Sequence, residues 1–192
     1  MADQKISDLA ALTAVDDADL LVVVDVSAAE TKKATKAALL SDINGLTVGR
    51  GAGDIATNTA NGHSALYSNT TGAFNTASGY QALFSNTTGS YNSCHGYQVL
   101  RSNTGGVSNT ASGLQALYYN TTGNYNSSHG VEALNRNTTG INNTASGYRA
   151  LYSNTSASNN TASGYQALYT NITGAANTAS GYRALFSNNT GD

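Results

Sequence analysis

The chain has 192 residues, of which 10% are charged, with a formal net charge of −2 and a single cysteine, Cys94. That balance gives no electrostatic reason to expect nucleic acid or an anionic membrane as a partner. One thiol excludes an intrachain disulfide framework, and no apolar run approaches the ~20 residues that span a bilayer.

The first residues, MADQKISD, lack the basic and apolar regions of a signal peptide, so synthesis in a cytoplasm is expected. Segment 1–61 holds five of the nine basic and nine of the eleven acidic residues. Within it, 20–26 reads as a short buried strand, although Asp25 interrupts the apolar run. Residues 28–43 carry several good helix formers and read as helical. So short a segment can hardly build a large core, and the role expected of residues 1–44 is docking on a larger assembly. Residues 45–61 share the seventeen-residue phase of the chain beyond them, with Gly45 and the run Asn58-Thr59-Ala60, and read as a degenerate first coil or neck. Gly49, Gly51 and Gly53 precede no Lys-Ser/Thr and do not read as a phosphate loop.

From Gly62 to Asp192 the chain repeats every seventeen residues, in eight units of which the last is incomplete. Glycine opens each unit at 62, 79, 96, 113, 130, 147, 164 and 181. Leucine recurs as Leu66, Leu83, Leu100, Leu117, Leu134, Leu151, Leu168 and Leu185. One asparagine column runs Asn69, Asn86, Asn103, Asn120, Asn137, Asn154, Asn171, Asn188; a second runs from Asn75 to Asn177. Asn, Thr, Ser and Gly favour turns over helix, and no apolar stripe of helical spacing is present. Asn-Thr-Thr-Gly reads as one turn and Ser-Gly as another. Each unit is then one coil of a parallel β-solenoid stacked at ~4.8 Å, about 40 Å for eight coils. The asparagines are expected to form ladders along the stack.

Adjacent Ala and Leu, read as a strand, face opposite sides, so both faces need covering. One face would look into the coil and the other toward a second chain. A buried leucine contributes ~1.5–3 kcal/mol against at least ~17 kcal/mol for ordering seventeen backbones. Aromatics after the glycine (Tyr80, Tyr97, Tyr148, Tyr165, Tyr182) and after the leucine (Tyr67, Phe84, Tyr118, Tyr152, Tyr169, Phe186) would fill the space between chains. The expectation is an obligate oligomer.

The units Asn75 to Gly89 (NTASGYQALFSNTTG) and Asn160 to Asn171 (NTASGYQALYTN) resemble repeats in bacteriophage tail fibres and related virion proteins. More distantly, they are similar to the head repeats of trimeric autotransporter adhesins. KISDLAAL from Lys5, DLLVVVDV from Asp19, TKKATK from Thr31 and VGRGAG from Val48 also resemble the start of many tail fibres. The resemblance implies an all-β repeat, a trimeric parallel β-solenoid with a small α/β N-terminal segment. It allows a strand at 33–36 followed by a shorter helix. It further implies a homotrimer in the virion, docked on a tail or baseplate protein through residues 1–44, with the repeats projecting toward a host polysaccharide or receptor. Fibres of this kind often carry a C-terminal trimerisation, receptor-binding or chaperone domain, whereas this sequence stops inside its eighth unit. A purely structural spacer for a separate receptor-binding protein is therefore the alternative, with a bacterial trimeric adhesin fragment behind it.

His95 and His129 stand in a serine column thirty-four residues apart. In a trimer they could offer imidazoles to a metal, but without a ligand-spacing motif the plainer reading is a surface histidine. His63 takes a tyrosine position as an amphipathic substitute, and Cys94 takes an alanine position as a small buried thiol. The Asn-x-Thr/Ser motifs arise from the repeat itself. No paired carboxylates and no nucleophile–base pair are evident, and Glu132 is the array's one internal acid. The expectation is a non-enzyme without cofactors. Ice binding is a rival for a threonine-rich solenoid. It wants hydroxyls two residues apart, which Thr-Thr-Gly does not provide and which Ser93-Cys94-His95 and Ser127-Ser128-His129 interrupt.

Overall fold

The structure, a computed structural model, describes residues 20–25, 30–35 and 46–191. The chain divides into two compact units, Met1–Leu40 and Ser41–Asp192. In the first, β1 (Leu20–Asp25) pairs antiparallel with β2 (Glu30–Thr35), in register from Leu20 opposite Thr35 to Asp25 opposite Glu30. The helix expected over 28–43 is therefore absent at 30–35, and the strand allowed by the resemblance takes its place. Helix propensity is a weak preference, and pairing with the Val-rich β1 overrides it. The remainder of 28–43 lies outside the described residues, as does most of segment 1–44.

The second unit is a β-solenoid. Its sheet runs β3 (Leu46–Gly49), β4 (Thr59–His63), β5 (Thr76–Ser78), β6 (Ser93–His95), β7 (Thr110–Ser112), β8 (Ser127–His129), β9 (Thr144–Ser146), β10 (Thr161–Ser163), β11 (Thr178–Ser180). From β4 onward all neighbours are parallel and offset by seventeen residues, so that Thr76 faces Ser93, then Thr110, then Ser127. Parallel in-register stacking follows from the period, because each coil can bond only to copies of itself above and below.

The strands are not where the Ala-Leu pairs are. Each Ala-Leu lies in a turn, with the leucine and the residue two before it in the left-handed region: Gln81 at φ 52° and Leu83 at φ 52°, Gln115 at φ 53° and Leu117 at φ 52°. In a strand, neighbouring side chains face opposite sides. Here alternating backbone hand lets both point inward, and Ala82, Leu83, Ala116 and Leu117 are all 0% exposed. Left-handed backbone costs a leucine about 1–2 kcal/mol. Burial of its side chain offsets that cost, and its amide is bonded to the next coil (Leu83 N–H to the Val99 carbonyl, 3.0 Å). One chain thus covers both faces. The inference of a second chain from a two-sided strand falls with the strand.

Nearly half of the interior is polar, and most of it is bonded. In the second asparagine column each amide oxygen accepts the backbone N–H of the next asparagine, as from Asn92 to Asn75 and from Asn109 to Asn92, both 3.0 Å. Its amide nitrogen donates to the glycine carbonyl fourteen residues on, Asn75 to Gly89 at 2.9 Å. The first column donates to the same carbonyl, Asn86 to Gly89 at 2.9 Å, and to the oxygen of the asparagine before it, Asn86 to Asn69 at 2.9 Å. A carbonyl has two lone pairs and both are used. Buried amides are tolerated because the stack satisfies them.

The first column breaks toward its far end. Rungs join Asn69 through to Asn154, but the buried oxygens of Asn154 and Asn171 have no partner among the described residues. Beyond Asn171, the Asn188 amide turns to the Asn177 oxygen of the other column, at 3.0 Å. At Asn154 the cause is Ala157. It stands in the column of Gly89, Gly123 and Gly140, where an added Cβ would sit 2.4–2.5 Å from the preceding asparagine oxygen and 2.7–3.0 Å from the next amide nitrogen. The methyl group therefore occupies the path of the missing bond. Ala157→Gly is expected to restore the rung and to stabilise the array by about 1 kcal/mol, read by urea denaturation.

Before the first full coil, the chain folds back over its end. β3 pairs antiparallel to β4, and the Ala52 N–H donates to the Leu66 carbonyl at 3.0 Å. Ala52–Asp54 is a single 3-10 turn, held open by Gly51 (φ +74°) and Gly53 (φ +79°). The glycine-rich run is thus packed against the first coil, and Asn58 begins the second ladder by accepting the Asn75 N–H at 2.8 Å.

Candidate functional site

The exposed surface of the solenoid has three distinct parts. The first is the outer face of strands β5–β11. Their three residues alternate, with the central Ala77, Cys94, Ala111 or Ser128 buried and the flanking residues directed outward. Hydroxyls two residues apart, denied by Thr-Thr-Gly, are therefore supplied by Thr-Ala-Ser, as in Thr76/Ser78, Thr110/Ser112 and Thr144/Ser146. None of these six hydroxyls has a hydrogen-bond partner among the described residues. The hydroxyls of Thr70, Thr87 and Thr121, by contrast, each donate to a carbonyl of the next coil at 2.9–3.0 Å. His95 and His129 lie in the outward column, each one coil away from Ser112 on either side. Among the described residues no cluster of three His, Cys, Asp or Glu could hold a metal ion.

The second part is aromatic. Rings in one column stack face to face along the chain's own axis: Tyr80 on Tyr97 at 5.1 Å, Tyr148 on Tyr165 at 5.1 Å, Tyr152 on Tyr169 at 5.2 Å. His63 joins its column by stacking on Tyr80 at 5.2 Å. The period places identical rings one coil apart, so they satisfy one another within the chain. Part of the packing expected between chains is thus made within one chain, and the edges of these rings remain exposed. A glutamine ladder, Gln81–Gln98–Gln115 at 2.9 and 3.0 Å, runs through the same turns.

The third part is where the columns depart from their pattern. Arg101 replaces an aromatic ring, sits 5.1 Å over Phe84 and donates to Gln81 at 3.0 Å. Glu132 is ion-paired and hydrogen-bonded with Arg149, and that hydrogen bond raises the guanidinium's pKa above its ordinary value. Tyr119 and Arg136 replace serines in successive coils. With Ser102, Thr121 and Thr138 they line an open cleft of about 520 Å³. Tyr119 and Arg136 were not singled out from the sequence; their departure from a serine column was the available signal, and the stacked coils bring them together.

Asn69, Asn86, Asn120 and Asn137, which head Asn-x-Thr motifs, are buried ladder members with 0–2% exposure, so the motif is structural at these positions. Cys94 is likewise buried, and desolvation pushes its thiol pKa far above the usual range. The sign is that of a raised folded-state pKa: the unfolded chain releases this proton above about pH 8.5 and the native state does not. Stability contributed by the protonated thiol is complete below that pH and is lost as pH rises. At pH 10 the loss is about 2 kcal/mol. Cys94→Ala, the residue usual in that column, is expected to remove this dependence in denaturation measured at pH 8 and pH 10.

Among the described residues no helix is long and apolar enough to cross a membrane. Comparison of the chain with family models, with curated proteins and with solved structures gave no match.

Proposed function

We propose that this chain is a rod segment of a bacteriophage tail fibre, carried on the virion as a parallel homotrimer and positioning or making contact with the host surface. The observation that carries the reading is the unbroken succession of self-bonding coils, and the resemblance of the N-terminal sequence to the start of tail fibres supports it. Every coil is tied to the next by backbone and side-chain bonds, so force applied at one end is shared along the rod. Residues 1–44 dock on a tail or baseplate protein. The exposed edges of the column Tyr80, Tyr97, Tyr148 and Tyr165 are the surface that a neighbouring copy covers.

A binding role also suits the acid inventory better than hydrolysis does. Glycoside cleavage calls for two carboxylates about 5–9.5 Å apart, and in the array Glu132 is engaged by Arg149. The test has two arms. Light scattering on the full chain is expected to give three times 19.6 kDa; a monomeric mass contradicts the trimer. Particles deprived of this protein are expected to lose adsorption, and normal adsorption would count against the adhesion role.

A second reading arises from the unbonded hydroxyls of Thr76/Ser78, Thr110/Ser112 and Thr144/Ser146: a repeating outer face for an ordered lattice such as ice, interrupted at His95 and His129. Inhibition of ice recrystallisation, abolished by Thr144→Lys on that face, would favour it over the fibre.

A further inference from the structure

The geometry points to the cleft at Tyr119 and Arg136 as a binding site for a carboxylate-bearing sugar unit of a surface polysaccharide. This rests on the reading of the chain as part of a host-attachment fibre. In a repeat array each column has a residue set by its structural place, so departures gathered in one patch need a separate explanation. The column of Tyr119 and Arg136 is otherwise Ser68, Ser85, Ser102, Ser153, Thr170 and Ser187, and serine closes the coil equally well. The two large replacements fall in adjacent coils and face one cavity.

The chemistry of the lining selects the ligand. Tyr119 is half exposed, and its aromatic contact is with Tyr118, edge to face at 4.6 Å. No ring or guanidinium stacks on it, unlike the tyrosines of the regular columns, so its face is available to the C–H surface of a pyranose. Arg136 is held 5.3 Å from the centre of the Tyr152 ring and has no acceptor among the described residues. Its donors suit a carboxylate, which a guanidinium binds in bidentate fashion. The Thr121 and Thr138 hydroxyls already donate, each to a carbonyl of the next coil at 3.0 Å. Toward the cleft they can only accept, which suits sugar hydroxyls.

A neutral sugar would leave the guanidinium unpaired, and a bare anion would leave the tyrosine face unused. A uronic acid satisfies both. The field agrees, since four arginines stand in 62–191 against Glu132, which Arg149 already holds. The cleft volume of about 520 Å³ lies within the range of small-ligand sites. A single open cleft binds weakly, and three copies on one fibre multiply its effect through effective concentration.

The full chain is titrated with short oligomers of glucuronate, galacturonate and mannuronate, and with maltotriose as the neutral control, following amide shifts by NMR. Expected are shifts centred on Ser102, Tyr119, Thr121, Arg136 and Thr138 with at least one acidic oligomer and none with maltotriose. Arg136→Ser and Tyr119→Ser, which restore the column's own residue and so keep the coil, each lower the affinity at least about tenfold. Arg136→Lys falls between. Absence of shifts with every acidic oligomer at millimolar concentration, equal response to maltotriose, or unchanged affinity in Arg136→Ser overturns the assignment. Protein found on virions with an inert cleft removes the sugar site and leaves the fibre. A binding cleft on a protein absent from virions does the reverse.

Discussion

Replacing Asn109 by alanine is expected to destabilise the solenoid by about 4 kcal/mol, lowering Tm by about 10 °C. Asn109 is 0% exposed, and its side chain takes part in four hydrogen bonds and its backbone N–H in a fifth. Its own N–H and amide group donate to Asn92, the amide donates again to the Gly123 carbonyl, and its oxygen accepts the backbone N–H and the amide of Asn126. Truncation orphans the buried Asn126 N–H, which alone costs about 1–3 kcal/mol, and leaves a cavity beside it. Thr104→Val removes one exposed bond to the Thr121 carbonyl and is expected to cost less than about 1 kcal/mol. Thermal denaturation of both variants measures the contrast. Asn109→Asp adds a sign. A carboxylate facing the Asn92 oxygen and the Gly123 carbonyl is disfavoured when charged, so its folded-state pKa lies above the usual ~3.9. That variant is most stable in acid and loses stability as pH rises through the folded pKa.

Gly113→Ala is the second large effect. Gly113 has φ +129°, a region that residues with a side chain rarely enter, and an added Cβ would stand 2.5 Å from the Gly130 carbonyl oxygen of the next coil. The obstructing atom is backbone held in the stack, so it cannot swing aside as a side chain could. The expected cost exceeds about 4 kcal/mol. Because each coil contacts mainly its neighbours, the damage is local. Hydrogen exchange is expected to quicken around residues 113–130 while distant coils stay protected; uniform loss of protection would mean that the array unfolds as a single unit.

Much of this fold was legible. The period, the buried Leu66 to Leu168 and the two asparagine columns all derive from positions that hardly vary, because a stack tolerates only residues that bond to their own copies. The assignment of strand and turn was not legible. Leucine is a poor resident of left-handed backbone, so Ala82-Leu83 reads as extended, whereas the coil bends there to bring both side chains inside. Thr76-Ala77-Ser78 is too short for its alternation to register as a strand. With the strand misplaced, the Ala-Leu pair reads as two opposed apolar faces, whereas both side chains point inward. Face-to-face ring stacking was implicit in the period. The broken rung at Ala157 was not, since it depends on where one methyl group meets one hydrogen bond. The departures at Tyr119 and Arg136 stand in plain view in the sequence, but only the seventeen-residue stacking shows that they share a cleft with Thr121 and Thr138.

Gold-labelled antibody against residues 46–191, applied to purified virions from the lysate that contains this chain, tests the fibre assignment most directly. Gold along the tail fibres, at an invariant distance from the tail, is the predicted result. Unlabelled particles, with the whole of the protein left in the soluble fraction, would contradict it.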